Sequence, residues 1–324
     1  MSDTQQNNLP RPGAKIGLAL GSGSARGWAH IGIIQALEEA GIRVNCIAGS
    51  SIGAMVGAVH ASGRLHALKE SALQFDWKKV VRFFDIVFPR SGLVDGNRVS
   101  DFLRGHVKEK EIQELQIPFC AVCTGLAAGN EVILRKGDII EAVRASISIP
   151  GIFTPVNKDG MILVDGGLVN PVPVSVARGM GADFVIAVDL NHDIVEKKGF
   201  GKCPVSDPEG MSRANETREG SSLKNGLMNA FNRKMTAIDI PVLAHMRQWI
   251  TEDPMPSIFE VLVASINIME AQITATQLKN DPPDLLIQPA LGHLRILDFH
   301  LAETAIAEGY RAARSSIDSM VMGK

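Results

Sequence analysis

The chain has 324 residues, 45% of them apolar, enough for one large α/β domain or two small ones around a substantial core. Thirty-three Lys and Arg against 35 Asp and Glu leave a net charge of −2 with no long basic block, which argues against a nucleic-acid partner. Four cysteines, Cys46, Cys120, Cys123 and Cys203, are too scattered for a disulfide framework, and Cys120-x-x-Cys123 lacks the second pair of a zinc site. They read as core thiols in a reducing compartment, and no cofactor or metal requirement is read from the chain.

Residues 1–14 form a polar tail without the apolar segment of a signal peptide. No later run reaches the roughly 18 apolar residues of a membrane span, so a cytoplasmic protein is expected, with any membrane contact peripheral and on the inner face. A strand over KIGLALG leads into a Gly/Ser-rich loop, GSGSARG, and then a helix over WAHIGIIQALEEAG closed by Gly41. VNCIAG is the next strand and IGAMVGAVHASG the next helix, closed by Gly63. This β-α-β-α order predicts a mostly parallel sheet with helices on both faces. Helices are expected over 65–75 and 97–107, strands over IPFCAVCTG and NEVILRKG, and a helix over DIIEAVRASIS stopped at Pro150. A strand over MILVDGG, a helix over VPVSVARGMG and a strand over ADFVIAVDLN follow. Residues 196–226 are rich in Gly, Ser, Pro and charge, so a mobile surface insertion is expected there. A long helix over SIFEVLVASINIMEAQITATQL, a short strand at DLLIQP and a terminal helix over AETAIAEGYRAARSSIDSMV complete a single layered domain over 15–324. Within residues 65–97, Trp77, Phe83, Phe84 and Phe88 mix with Lys78, Lys79 and Arg82. Such a stretch suits a membrane surface or, more commonly, a helix turning its aromatic face into the core.

GSSIG, residues 49–53, fits G-x-S-x-G at a strand-to-helix junction, the context that gives this motif mechanical meaning. Gly49 and Gly53 let the backbone bend tightly past Ser51, raising its hydroxyl at a helix N-terminus where developing negative charge is favoured. A serine there also serves as a helix cap, and the motif alone does not separate the two roles. The loop of Gly21, Gly23, Ser24, Ala25, Arg26 and Gly27 lies at the same carboxyl edge of the sheet, where its N–H groups can bind an anion. Dinucleotide folds place a pyrophosphate there, but the spacing departs from G-x-G-x-x-G and the second strand runs into Ser51 instead of a ribose-binding acid. Asp165 ends the MILVD strand before Gly166 and Gly167, which allow close backbone approach; strand ends at that edge are where sites form. Asp before Gly is equally a common turn residue. His192, His245, His293 and His300 lie downstream of the serine and keep a Ser-His-Asp hydrolase open, each also readable as a solvated or core histidine.

In this order, the loop ending Ala25-Arg26-Gly27, the G-x-S-x-G around Ser51, and Asp165-Gly166-Gly167 resemble the patatin-like phospholipases, specifically their bacterial cytoplasmic-type members. The resemblance runs through WAHIGIIQALEEAGI, ASISIPGIFTPV and GADFVIAVDLN to DPPDLLIQP, closely over 15–191 and more loosely over 258–310. It implies a three-layer α/β/α patatin-like fold with a mostly parallel central sheet and a Ser/Asp dyad without histidine. Ser51 would attack an ester carbonyl, Asp165 would take its proton, and Gly23, Ser24, Ala25, Arg26 and Gly27 would form the oxyanion loop. Ser22 and Ser24 depart from the glycines common in the family at this loop. The implied substrates are phospholipids, lysophospholipids or smaller acyl esters; the alternative is a lipid-binding or regulatory protein on the same fold with weak esterase activity. The oligomeric state is not legible.

Overall fold

Four apolar runs become the centre of the sheet: β1 (Ile16–Leu20), β2 (Cys46–Ser50), β3 (Phe119–Gly125) and β7 (Phe184–Val188) are buried at every residue. Strands covered by helices on both faces need apolar residues throughout, which is why these segments do not alternate with polar ones. The structure is a computed structural model that describes residues 10–76, 79, 95–194 and 258–322. The chain divides into two compact units, residues 1–198 with 262–324 and residues 199–261; of the second, only 258–261 are described. The insertion expected at 196–226 lies outside the described residues, as do Trp77, Lys78, Arg82, Phe83, Phe84, Phe88, Cys203 and His245.

With β4 (Asn130–Leu134), β5 (Val156–Lys158), β6 (Met161–Asp165) and β8 (Leu285–Ile287), eight strands among the described residues form one sheet in the order β5-β6-β3-β2-β1-β7-β8, β4 pairing β3. The pairs β3-β2, β2-β1, β1-β7 and β7-β8 are parallel. At the other edge, β4 and β6 run antiparallel to β3, and β5 antiparallel to β6. The fold is therefore the expected three-layer α/β/α architecture with a mostly parallel sheet. The helices are α1 (Ala29–Glu39), α2 (Ile52–Ala61), α3 (Leu65–Leu73), α4 (Asn97–Arg104), α5 (Ile139–Ser146), α6 (Val174–Gly179), α7 (Ile258–Asn280) and α8 (Ala302–Met322). Small residues on one face of the sheet, Ala19, Ala48, Cys120 and Ala187, admit Val174, Val176 and Ala177 of α6. Leu20 and Ile47 point the other way, toward α2 at Gly57.

Two expected helices end earlier than the sequence suggests, α3 at Leu73 and α4 at Arg104, and β5 was not anticipated. Three residues are too few to display a period of two. Cys46, Cys120 and Cys123 lie buried as free thiols. Among the described residues, no helix is long and apolar enough to cross a membrane.

Candidate active site

At the junction of β2 and α2, Ser51 adopts φ 56° and ψ −124°. A left-handed φ on a residue with a Cβ costs on the order of 1–3 kcal/mol and persists only where its surroundings impose it. Here the Ser51 N–H donates to Ser146 Oγ on α5 at 3.0 Å, and that hydroxyl donates to Val122 O on β3 at 2.6 Å. One residue earlier, Ser50 Oγ donates to Asn170 O at 2.5 Å. The flanking glycines let the turn close: a Cβ on Gly53 would collide with Leu20 O and lie 2.8 Å from Gly21 O, and one on Gly49 would sit 2.5 Å from Ala54 N. Gly53→Ala should therefore push α2 off the end of β1 and destabilise the protein by about 1–3 kcal/mol. Urea unfolding measures this, and unchanged stability would mean that the turn has room that the geometry denies.

The hydroxyl so presented has a single hydrogen-bond partner among the described residues. Ser51 Oγ donates to Asp165 Oδ2 at 2.6 Å, with Ser51 4% and Asp165 2% exposed. Strand register brings them together. β2 ends with Ser50 opposite Val122, while β3 runs on through Cys123, Thr124 and Gly125 and pairs there with β6, Cys123 facing Asp165. The expectation of a strand end at the carboxyl edge needs one adjustment, because β6 is antiparallel to β3 and enters from beyond that edge. Further bonds hold the carboxyl and the backbone that carries it. Asp165 Oδ1 accepts the Gly167 N–H at 2.7 Å, Thr124 Oγ1 donates to Asp165 O at 2.7 Å, and the Asp165 N–H donates to Ser148 O at 3.0 Å. Burial pushes its pKa up to about 7, against the hydrogen bonds from Ser51 and Gly167, which favour the anion.

The Gly/Ser-rich loop lies beside this pair. Most of its backbone donors serve the fold: Gly21 N–H bonds Val188 O, Ser22 N–H bonds Pro171 O, Ala25 N–H bonds Ile296 O and Arg26 N–H bonds Gly23 O. Those of Gly23 and Ser24 have no acceptor among the described residues, and Ser24 holds φ 49°. From Ser24 to Trp28, Gly27 included, the chain is a 3-10 turn. The Arg26 side chain turns inward, its Nε donating to Gly23 O at 3.1 Å; burial lowers its pKa to about 10, so it stays cationic near neutrality. Beneath the loop, His30 Nε2 lies 2.8 Å from Gly21 O, and burial depresses its pKa to about 4, leaving a neutral ring whose Nε2–H donates.

Sequence reasoning named neither His30 nor the clamps Ser146, Thr124 and Asn170, because a lone polar residue in an apolar segment carries no local signature. Of the downstream histidines, His192, His293 and His300 are exposed and His245 lies outside the described residues. An apolar cavity of about 50 Å³ opens beside Ser51, with Ser24, Trp28, Phe75, Ile152 and Phe299 among its walls. The Trp28 ring sits 5.9 Å from those of both Phe75 and Phe299.

The family model described as patatin-like phospholipase matches residues 18–178. An uncharacterised NTE family protein of Mycobacterium tuberculosis is 33% identical, the match covering 94% of this chain and 92% of that protein. Patatin-like phospholipase domain-containing protein 6 of Mus musculus is 35% identical over 58% of this chain and 14% of its own length. Among solved structures, VipD from Legionella pneumophila matches with a TM-score of 0.42 at 15% identity, covering 96% of this chain and 68% of that one. Fold and relatives together define an α/β/α hydrolase. The chain belongs to the patatin-like phospholipase family.

Proposed function

We propose that the protein cleaves carboxylic ester bonds of phospholipids, lysophospholipids or related acyl esters, with Ser51 as nucleophile and Asp165 as general base. The observation that carries this reading is the 2.6 Å hydrogen bond from Ser51 Oγ to a buried carboxyl, made at the wall of an apolar cavity. Ser51 Oγ attacks the carbonyl carbon as its proton passes to Asp165. The oxyanion of the tetrahedral intermediate is received by the N–H groups of Gly23 and Ser24, while Ala25, Arg26 and Gly27 hold the loop in shape. Donors so placed are worth about 100- to 1000-fold each. Collapse expels the alcohol, which leaves with the proton from Asp165, and an acyl-Ser51 ester remains. Water then gives its proton to Asp165 and attacks that ester, releasing the fatty acid and restoring the serine.

The cavity suits an acyl chain, since its walls offer apolar contact and almost no hydrogen-bonding group. Ile152→Trp should fill it and lower hydrolysis of a dodecanoyl ester about tenfold more than that of an acetyl ester. Equal losses on the two would put the acyl chain elsewhere. Contact with the membrane is proposed to be peripheral.

Fatty acid released by the purified protein from phosphatidylcholine vesicles, lysophosphatidylcholine and p-nitrophenyl esters tests the reading, with Ser51→Ala as the blank. A fluorophosphonate probe should label Ser51 alone; labelling of Ser50 would move the nucleophile by one residue. Lipid binding without any release would favour the binding or regulatory alternative.

A further inference from the structure

The long helix α7 brings a second carboxyl to the dyad. Glu270 is 7% exposed and touches three segments that build the site. Its Oε2 accepts from Asn191 Nδ2 at 3.0 Å, in the turn after β7, and the Ser22 hydroxyl of the Gly/Ser-rich loop donates to the same carboxyl. On its other side it abuts Gly167, the residue whose N–H holds Asp165 Oδ1. A methyl group in place of the Gly167 hydrogen would strike Glu270 Oε1 and lie 3.1 Å from Asp165 Oδ1, so oxygens of both carboxyls crowd the same point of the backbone.

We infer that Glu270 is a positioning residue for the dyad, holding the turn that presents Asp165 and the Ser22 end of the oxyanion loop in one fixed relation. This inference rests on the reading of Ser51 and Asp165 as nucleophile and base. Gln277 Nε2 on the same helix donates to Val169 O at 2.8 Å and so also holds that turn, whereas Glu270 meets the turn and the loop together. Misplacement of a base or an oxyanion donor by 1 Å is enough to cost about 100-fold in rate.

The arrangement has an electrical consequence. The charged groups that act on Glu270 are the Arg26 guanidinium and Asp165, and Arg26 in turn faces Asp189 and Asp193 beyond β7. Past Asp165 stands the Cys123 thiol, held protonated by burial and by that carboxyl, and the neutral His30 lies under Gly21. Burial and then the Asp165 charge push Glu270 up to about 8, while Arg26, Ser22 and Asn191 favour its anion. Two buried carboxyls that act on each other do not ionise independently, so Asp165 reaches full ionisation only over two overlapping steps.

Three variants test this in fatty-acid release assays from pH 5 to 9. Glu270→Ala should lower kcat about 10- to 100-fold with KM little changed, because the apolar cavity that binds the substrate is untouched while the base and oxyanion loop lose their alignment. Glu270→Gln, which keeps an acceptor for Ser22 or Asn191, should recover most of kcat on the plateau. Its acid limb should narrow to a single-proton titration and reach the plateau at lower pH than the wild type. A Glu270→Gln profile superimposable on the wild type would overturn the inference, as would an unchanged kcat in Glu270→Ala. If Glu270→Ala fails to fold, the Glu270→Gln profile decides. Ser51→Ala separates the two levels: residual activity there defeats the dyad itself, whereas a dead Ser51→Ala with an unaltered Glu270→Gln profile defeats only the role of Glu270.

Discussion

Ser51→Ala should reduce ester and lipid hydrolysis by at least about four orders of magnitude while leaving a folded protein. The change removes one oxygen, and the bonds that impose the turn, Ser51 N–H to Ser146 Oγ and Ser50 Oγ to Asn170 O, do not involve it. The loss for stability is one hydrogen bond to Asp165, about 1 kcal/mol, so circular dichroism and thermal unfolding should stay close to the wild type. Full activity in this variant would mean that the nucleophile lies elsewhere.

Asp165→Asn should lower activity by about two to four orders of magnitude, since the amide keeps the shape and cannot take a proton. The same substitution should also change how stability depends on pH, and the sign is fixed by the direction of the shift. In the folded protein Asp165 binds its proton more tightly than in the unfolded chain, with a pKa raised from 3.8 to about 7. Between those values the folded state holds the extra proton, so this group makes the wild type less stable as pH rises from about 4 to about 7, and the penalty is constant above that. The Asn variant escapes it. Relative to the wild type, Asp165→Asn should therefore gain stability between pH 5 and pH 8, on the order of a few kcal/mol. Urea unfolding at the two pH values measures the gain, and parallel behaviour of the two proteins would mean that the carboxyl ionises as readily inside as in water. Wild-type activity should climb through neutrality as Asp165 ionises. The histidines provide the contrast: His192→Ala, His293→Ala and His300→Ala should each retain wild-type rates, and a collapse in any of them would restore a Ser-His-Asp mechanism.

The elbow was legible in the sequence because its signals lie within about fifteen residues: an apolar run, two glycines around a serine pair, and apolar spacing of a helix immediately after. Local sterics decide such a turn, and the positive φ of Ser51 is what those glycines make room for. The β-α-β-α order of the N-terminal segments likewise points to a mostly parallel sheet, and the unbroken apolar character of β1, β2, β3 and β7 fits its burial on both faces. Asp165 was named from Asp-Gly-Gly and from resemblance, whereas its place beside Ser51, 114 residues earlier, follows from strand register. β3 outruns β2 by three residues, and β6 joins that overhang antiparallel from the far side, an arrangement that depends on how strands compete for an edge and not on any pattern within β6. Glu270 shows the same limit more sharply. In the sequence it is one acid in a long apolar helix, indistinguishable from a solvated surface residue. Only the packing of α7 turns it inward against Gly167, Ser22 and Asn191, because burial is a property of what covers a side chain and covering is decided by segments far apart in the chain.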